Sequence, residues 1–320
     1  MAHDMYSVDH QSIFIWAIVM GHFISLSRQA VKAESGFRRA SWIPIAWFAG
    51  LLFLSYAVVL YRLAEQWLTN DDMSHGIFVP LLVGYIVWQR RKSLAATPAR
   101  PNVGGLGLML IGLLFLCIGP PSLPTFTFMT RLAFLLSLVG LILLLRGAQS
   151  LTQLAYPLLL LLFMIPLPAY IYDRITLPLQ FVASALAEWM LELLGYSVLR
   201  EGNILHLPGQ TLSVVEACSG LRSLLSLSFL GQAYIYLFDS KPWMRIAIAF
   251  VIVPIAVVAN GIRILVSAIL GEHNRAWGQG MVHESTGWVV FVIAFVCLLL
   301  AHVAINRIYQ LRTVRSSPNV

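Results

Sequence analysis

Long apolar runs separated by short polar segments dominate the chain. Most are close to the ~20 residues that a helix needs to cross the hydrocarbon core of a bilayer. Run 12–27 is the weakest, and run 75–88 is short and contains Pro80, so we expect it to be tilted, kinked or extended at its start. The pattern predicts an all-α polytopic transmembrane helix bundle of about eight to nine spans. The candidate spans are 12–27, 42–61, 75–88, 104–119, 128–145, 151–168, 218–238, 245–270 and 285–305.

Segment 174–194 differs from these runs because one side of it is polar. Gln180, Ser184, Glu188 and Glu192 follow one another at i+4 spacing on an otherwise apolar helix. Such a stripe suits a helix that lies at the membrane interface. It also suits a polar seam that faces other helices within the bundle. We favour the interfacial placement because it preserves the alternation of charge described below.

Residues 196–216 alternate apolar and polar positions and are interrupted by Gly202-Asn203 and Pro208-Gly209. This pattern is typical of strands joined by turns. Because bare strands are not stable in lipid, we expect a small β element on the outer face of the membrane, leading directly into Cys218.

Basic residues in the short loops set the orientation of the spans. If the chain alternates sides, all the basic clusters are cytoplasmic, and residues 70–72, 119–127, 169–217 and 271–284 are outside. The basic clusters are Arg28 to Arg39, Arg90 to Lys92, Arg146, Lys241 with Arg245, and Arg307 to Arg315.

The composition supports an integral membrane protein. Hydrophobic residues make up 59% of the 320 residues and charged residues only 11%, too few to cover a soluble surface. The net charge is +7, and the basic residues lie beside apolar helices. We therefore expect these residues to set the membrane topology, and we expect no nucleic-acid partner. The polar N-terminus lacks the basic leader of a cleaved signal peptide.

The three cysteines differ in their surroundings. Cys117 and Cys297 lie inside apolar runs, where a cysteine is usually a small buried apolar residue. Cys218 stands where the strand-like segment ends and a helix begins, and the helix dipole favours the thiolate there. Cys218 is therefore the candidate nucleophile. The cysteines have no metal-ligand spacing, and we expect no metal or organic cofactor.

Arg263 lies near the outer end of an apolar span, with Asn260 one turn before it. A charged group in such a position is a functional candidate, although it also suits an arginine that extends to the interface or pairs with a glutamate. Together the two side chains present donors suited to an oxyanion.

His283 precedes the last span and can act as a general base near neutral pH. His273, in the same predicted loop, is an alternative on chemistry alone. Charge alternation places Cys218, Arg263 and His283 on one side of the membrane, and an acyl-transfer site needs a nucleophile, an oxyanion donor and a base.

The segments that hold these residues resemble the motifs of the exosortases. EACSGLRSL contains Cys218, ANGIR contains Arg263, and HESTG contains His283. The earlier run WLTNDDMSHGIFVPLLVGYIVWQRRK is similar to the N-terminal signature of the same family. The resemblance covers residues 42–309 and favours His283 over His273, because the histidine of the family opens the final span and is followed by a glycine, here Gly287.

The resemblance implies a membrane-embedded cysteine protease or transpeptidase of the bacterial inner membrane whose active site faces the periplasm. Its implied partners are proteins with a C-terminal Pro-Glu-Pro sorting signal, an apolar span and a basic tail, together with an acceptor nucleophile of unknown identity. The resemblance assigns the nucleophile of the family to Cys218, its motif arginine to Arg263 and its motif histidine to His283. Asn260, Arg222, Glu216, Ser219 and His75 are candidate supporting or substrate-binding residues; Arg222 either holds a substrate glutamate, shifts the thiolate pKa or pairs with Glu216.

We expect three regions along the chain. Residues 1–40 form an N-terminal extension with one weak candidate span, residues 41–310 the integral membrane domain, and residues 311–320 a cytoplasmic tail. The alternative function is a polytopic transporter or a component of exopolysaccharide export without a catalytic cysteine. A transporter usually places functional charges near the midplane of paired repeats, and the sequence shows no repeat.

Overall fold

The computed structural model describes residues 42–118, 124–214, 221–274 and 281–315. Helices dominate these ranges, with one small antiparallel sheet. The helices are α1 (Trp42–Ser55), α2 (Ala57–Thr69), α3 (Phe78–Gln89), α4 (Arg91–Ala96), α5 (Gly104–Ile118), α6 (Pro124–Arg146), α7 (Ala148–Leu160), α8 (Ala169–Leu193), α9 (Leu221–Phe238), α10 (Pro242–His273) and α11 (Met281–Arg315). The strands are β1 (Leu199–Glu201), β2 (Ile204–His206) and β3 (Thr211–Ser213), and the 3₁₀ segments are Asp71–Ile77 and Leu161–Met164.

Three helices of the described chain are long and apolar enough to cross a membrane, or up to five spans if each of two bent helix pairs counts as one. The three are Phe126–Arg146, Pro242–His273 and Ser285–Arg312. Large apolar side chains on them are open to the surroundings; Phe250 is 75% exposed and Leu300 is 63% exposed. The chain is thus a helical membrane protein. The total of eight to nine spans stays a prediction, and run 12–27 lies outside the described residues.

The short run 75–88 is extended at its start, one of the forms expected for it. A 3₁₀ segment precedes α3, and Pro80 falls in the first turn of α3, where its missing N–H breaks no helical hydrogen bond.

The described chain forms two compact units, which divide between Pro168 and Ala169. In the first unit, α5 and α6 approach closely at paired glycines: a Cβ on Gly140 would meet the carbonyl of Gly105 at 2.7 Å. Small residues permit this kind of backbone contact between membrane helices. Tyr56, at the break between α1 and α2, shares a 2.9 Å hydrogen bond with Ser137 of α6.

In the second unit, α9, α10 and α11 share one apolar core. Leu227, Ile235, Ile248, Ile252 and Leu298 are almost fully buried in it. A second core joins α8, the sheet and the C-terminal half of α10 through Ala183, Ala187, Leu191, Leu205, Val214, Ile264 and Ala268.

The sheet confirms the β element expected at 196–216. Its strand order is β1-β2-β3, and both pairings are antiparallel. Gly202 opens the two-residue turn between β1 and β2 with φ +67°, a conformation that favours glycine.

The first three members of the polar stripe of 174–194 face the sheet and not other helices of the bundle. The interfacial placement of this helix stays a prediction. Asn203 Nδ2 donates to Gln180 Oε1 at 3.2 Å, Ser184 Oγ donates to the carbonyl of Gly202 at 3.3 Å, and Arg200 Nε donates to Glu188 Oε2 at 2.5 Å. The stripe is polar because it matches the hairpin, whose backbone and side chains need partners. Glu192 is exposed.

Cys117 and Cys297 are exposed on their helices and are not buried as expected. Their runs are apolar all round, so the sequence does not indicate which side of the helix is covered. On a membrane span, such a thiol faces lipid.

Candidate active site

A small cleft, with room for about one water molecule and partly open to the surroundings, lies among α9, α10 and α11. Ser223 lines it from the first turn of α9, Asn260 and Arg263 from α10, and Gly287 from α11. Leu227, Ala256, Ala259, Val290, Phe291 and Ala294 complete its wall. The pocket therefore combines an apolar wall with an arginine and an amide, as ligand sites in helix bundles commonly do.

Arg263 lies against the backbone of α11. A Cβ added to Gly287 would be 3.1 Å from both Cζ and Nη2 of Arg263. An alanine at residue 287 would be closer than an ordinary contact, so the guanidinium would have to shift by a few tenths of an ångström. The glycine of HESTG thus has a physical role in placing the arginine of ANGIR.

Asn260 is 6% exposed, and its Oδ1 has no hydrogen-bond partner among the described residues. An orphaned amide oxygen costs about 1–3 kcal/mol when buried away from water. Its position in the pocket makes it available to a ligand that donates a hydrogen bond. The amide also carries donors on Nδ2, so either end can serve a ligand.

Arg263 lies in the C-terminal third of α10. It follows Pro242 by 21 residues, which corresponds to ~32 Å of helix, about the thickness of a bilayer core. A guanidinium at that depth can reach the water at the membrane boundary.

The other two candidate catalytic residues are less completely described. Cys218, Ser219 and Glu216 lie outside the described residues. His283 lies in α11 and Arg222 in α9, and at these two positions the structure describes the backbone only. On α11, His283 precedes Gly287 by four residues, so the two positions share one face of the helix.

The alternative histidine, His273, is exposed in the last turn of α10. It follows Arg263 by ten residues, about 15 Å along the helix axis. The choice of His283 over His273 stays a prediction.

His75 belongs to the first unit and is 7% exposed there. Its Nε2 is 3.2 Å from the carbonyl of Phe163, and Trp67 Nε1 donates to the neighbouring carbonyl of Met164 at 2.9 Å. These contacts hold the 3₁₀ segment Leu161–Met164 beside the 3₁₀ segment that carries His75. Its substrate-binding role stays a prediction.

Sequence reasoning missed a second polar cluster, at the other end of α9, α10 and α11. His302 Nε2 donates to Asp239 Oδ2 at 3.0 Å, and its Nδ1 lies 3.2 Å from the hydroxyl of Tyr234. The backbone N–H of Lys241 donates to Asp239 Oδ1 at 2.8 Å, and Lys241 Nζ donates to Asn306 Oδ1 at 2.6 Å. A histidine inside the last apolar run was the available signal, because an ionisable residue in a span needs a partner.

Comparison with known families accords with this arrangement. A model of the family described as transmembrane exosortase matches residues 67–300. This range contains the pocket, the sheet and the segments that hold Cys218 and His283. No curated protein and no solved structure matches the chain. Because the family model matches most of its length, the chain belongs to the transmembrane exosortases.

Proposed function

We propose that the chain is a cysteine protease and transpeptidase that cleaves membrane-anchored proteins at a C-terminal Pro-Glu-Pro sorting signal and transfers them to an acceptor. The observation that carries this proposal is the pocket among α9, α10 and α11. Arg263, Asn260 and Gly287 share it, and they belong to two of the three motifs that the resemblance singles out.

Chain length supports the inclusion of the third motif. Ser223 lines the pocket and follows Cys218 by five residues, and Leu221 at the start of α9 follows it by three. Three residues span at most ~11 Å of extended chain, a length that is compatible with the proposed action of Cys218 in the pocket. His283 is one helical turn from Gly287.

In the proposed reaction, the thiolate of Cys218 attacks the scissile carbonyl and forms a tetrahedral intermediate. The guanidinium of Arg263 donates hydrogen bonds to the oxyanion, with Asn260 Nδ2 as a further donor. Collapse breaks the C–N bond, and His283 gives a proton to the leaving amine, which leaves a thioester on Cys218. His283 then takes a proton from the acceptor nucleophile or water as that group attacks the thioester and releases the thiolate.

The topology of the anchored substrate is consistent with this site. Its span lies beside the helices with its basic tail in the cytoplasm, so that the Pro-Glu-Pro segment reaches the outer boundary. Charge alternation supports a pocket at that boundary, and the depth of Arg263 is compatible with it; we propose that this is the periplasmic face of the inner membrane. We further propose eight to nine spans in total.

Substitution of the cysteines tests the proposal. Cys218→Ala should abolish processing of the substrate while the protein still folds and inserts. Cys117→Ala and Cys297→Ala are matched controls, because these thiols are exposed on apolar helices away from the motif. Mass spectrometry of substrate C-termini from cells with each variant is the measurement.

Full processing by Cys218→Ala would refute the nucleophile assignment and favour the transporter or export alternative. Labelling with a membrane-impermeant thiol reagent adds a second readout. We expect the reagent to modify Cys218 from outside and to leave Cys297, in the middle of the last span, unmodified in lipid.

A further inference from the structure

The small sheet has one covered face and one open face. Leu205, Leu212 and Val214 pack into the core shared with α8 and α10. Residues on the alternate positions of β3, Thr211 and Ser213, point to the other face because successive side chains alternate in a strand. The sheet is therefore held from one side only.

The pairing register shows which backbone groups of β3 are used by β2. Leu207 N–H donates to the carbonyl of Gln210 at 2.8 Å, and Val214 N–H donates to the carbonyl of Asn203 at 3.0 Å. Hydrogen-bonded and non-hydrogen-bonded pairs alternate in an antiparallel ladder, so Leu212 is the intervening hydrogen-bonded residue. Thr211 and Ser213 consequently direct their N–H and C=O groups away from β2, and within the described chain β3 pairs with β2 alone.

This free edge is firmly positioned. Just before β3, Gln210 Nε2 donates to the carbonyl of Ala268 at 2.6 Å, and Gly209 N–H donates to Glu272 Oε1 at 2.9 Å. Just after β3, Val214 is fully buried. Ala268 follows Arg263 by five residues, so the start of β3 is fixed to α10 only ~7.5 Å further along the axis than the arginine of the pocket.

We propose that the free edge of β3 binds the extended segment of the substrate as an added strand beside the scissile bond. The inference rests on the proposed function, because the chain continues from Ser213 to Cys218 in five residues. The N–H groups of Thr211 and Ser213 donate to two carbonyls of the substrate, which is the usual mode of strand addition.

The properties of the edge select this occupant. Only two residues of β3 direct hydrogen-bonding groups outward, which suits a short peptide and is too little for a stable contact with a second copy of the chain. The N–H groups of the edge donate to carbonyls of the bound peptide. Proline lacks an N–H but keeps its carbonyl, so prolines in the peptide are tolerated. A residue before proline is restricted to extended conformations, so a Pro-Glu-Pro segment is already shaped for such an edge.

Proline substitution on β3 tests the edge directly. Ser213→Pro or Thr211→Pro removes one outward N–H and leaves the pairing with β2, as edge strands permit. We would introduce each into the full-length Cys218→Ala protein in lipid nanodiscs. The probe is a fluorescent synthetic peptide with a Pro-Glu-Pro segment, an apolar span and a basic tail, and the readout is its dissociation constant from anisotropy.

We expect each proline to weaken peptide binding by about three- to tenfold, the weight of one neutral hydrogen bond. Ser213→Ala and Thr211→Ala are matched controls that keep the N–H and should bind like the parent protein. If a proline variant does not fold, as judged by thermal unfolding, esters in the peptide backbone at successive positions weaken the carbonyl acceptors instead. Two such positions should then show the same loss.

Binding by both folded proline variants equal to that of the parent would overturn the docking edge, as would a flat response to the ester peptides. This result is distinct from failure of the proposed function, because binding is measured without cleavage. Cleavage that persists in Cys218→Ala would refute the nucleophile and leave the binding result intact.

Discussion

Gly287 of α11 lies directly against the guanidinium of Arg263 in α10, so that a single methyl group at residue 287 would come within 3.1 Å of Arg263 Cζ. The contact couples two motifs that are separated by more than twenty residues in the sequence. It makes the position of the arginine depend on the absence of a side chain on the neighbouring helix.

Gly287→Ala should therefore lower the processing rate by about tenfold or more, because a displacement of a catalytic group by a fraction of an ångström to 1 Å is costly. Alanine in place of glycine inside a helix normally stabilises by about 0.5–1 kcal/mol. Loss of rate with little loss of stability would distinguish displacement of Arg263 from a folding defect. Single-turnover cleavage and thermal unfolding measure the two quantities.

Gly107→Ala is the matched control for this substitution, since a Cβ at residue 107 meets nothing within 4 Å. Arg263→Lys keeps the charge and loses the planar fork of donors, so it should also lower the rate. Normal processing by Gly287→Ala, with a defect in Arg263→Lys, would show that the arginine tolerates movement and that the glycine contact is not needed.

The Asp239–His302 pair predicts a pH-dependent stability. Burial alone would raise the pKa of Asp239, but the N–H of Lys241, the hydrogen bond from His302 and the charge of Lys241 outweigh it and lower that pKa below its ordinary value of 3.8. A carboxyl group with a lowered pKa in the folded protein contributes stability above its unfolded pKa, near ~4, and loses it as the pH falls through the folded value.

Asp239→Asn should therefore destabilise the protein at pH 7, by about 1–3 kcal/mol for a buried network that loses a partner. The difference from the wild type should shrink below pH 4. Unfolding in detergent micelles across pH 3–7 is the measurement, with Ser240→Ala, an exposed neighbour, as the control. A difference that stays constant over this range would mean that the charge of Asp239 does not stabilise the fold.

We expect substitution of Gly76 to lower the stability of the first unit alone. It packs against the indole of Trp67, and a Cβ at residue 76 would overlap Cδ1 and Nε1 of that ring. Gly76→Ala must therefore displace the ring and break its hydrogen bond to Met164, at a cost of about 1–3 kcal/mol. Tryptophan emission during unfolding should report it.

Gly84→Ala provides the comparison for Gly76→Ala, because residue 84 has open space around it. We expect this control to be neutral or slightly stabilising. Equal stability of the two variants would contradict the packing of Trp67 on Gly76.

Sequence patterns predicted where the helices and the hairpin of this chain lie better than they predicted which of these elements contact each other. Apolar runs located α5, α6, α10 and α11, and Gly202-Asn203 located a hairpin turn, because length and turn chemistry are local properties. The polar stripe on α8 was recognised, but its partner was not, since nothing local to residues 180–188 indicates that a hairpin some twenty residues later folds back onto it.

The candidate site shows the same division. Arg263 and Asn260 were identified because polar groups in an apolar span are costly and need a purpose. The contact of Arg263 with Gly287 depends on the packing of two helices and has no local signature. The exposed side of Cys117 was likewise unpredictable, because apolar residues surround it on every side of the helix.

The outward face of α11 has a kinetic consequence. Gly287, Phe291 and Ala294 line the pocket, while Trp288, Val289 and Ile293 on the other side of the same helix are more than half exposed. Under the function proposed above, a substrate anchored in the same bilayer meets this helix by diffusion in two dimensions. Its rate of capture is then governed by the number of substrate molecules per lipid, and added empty lipid will slow the reaction even when the amounts of both proteins per millilitre are unchanged.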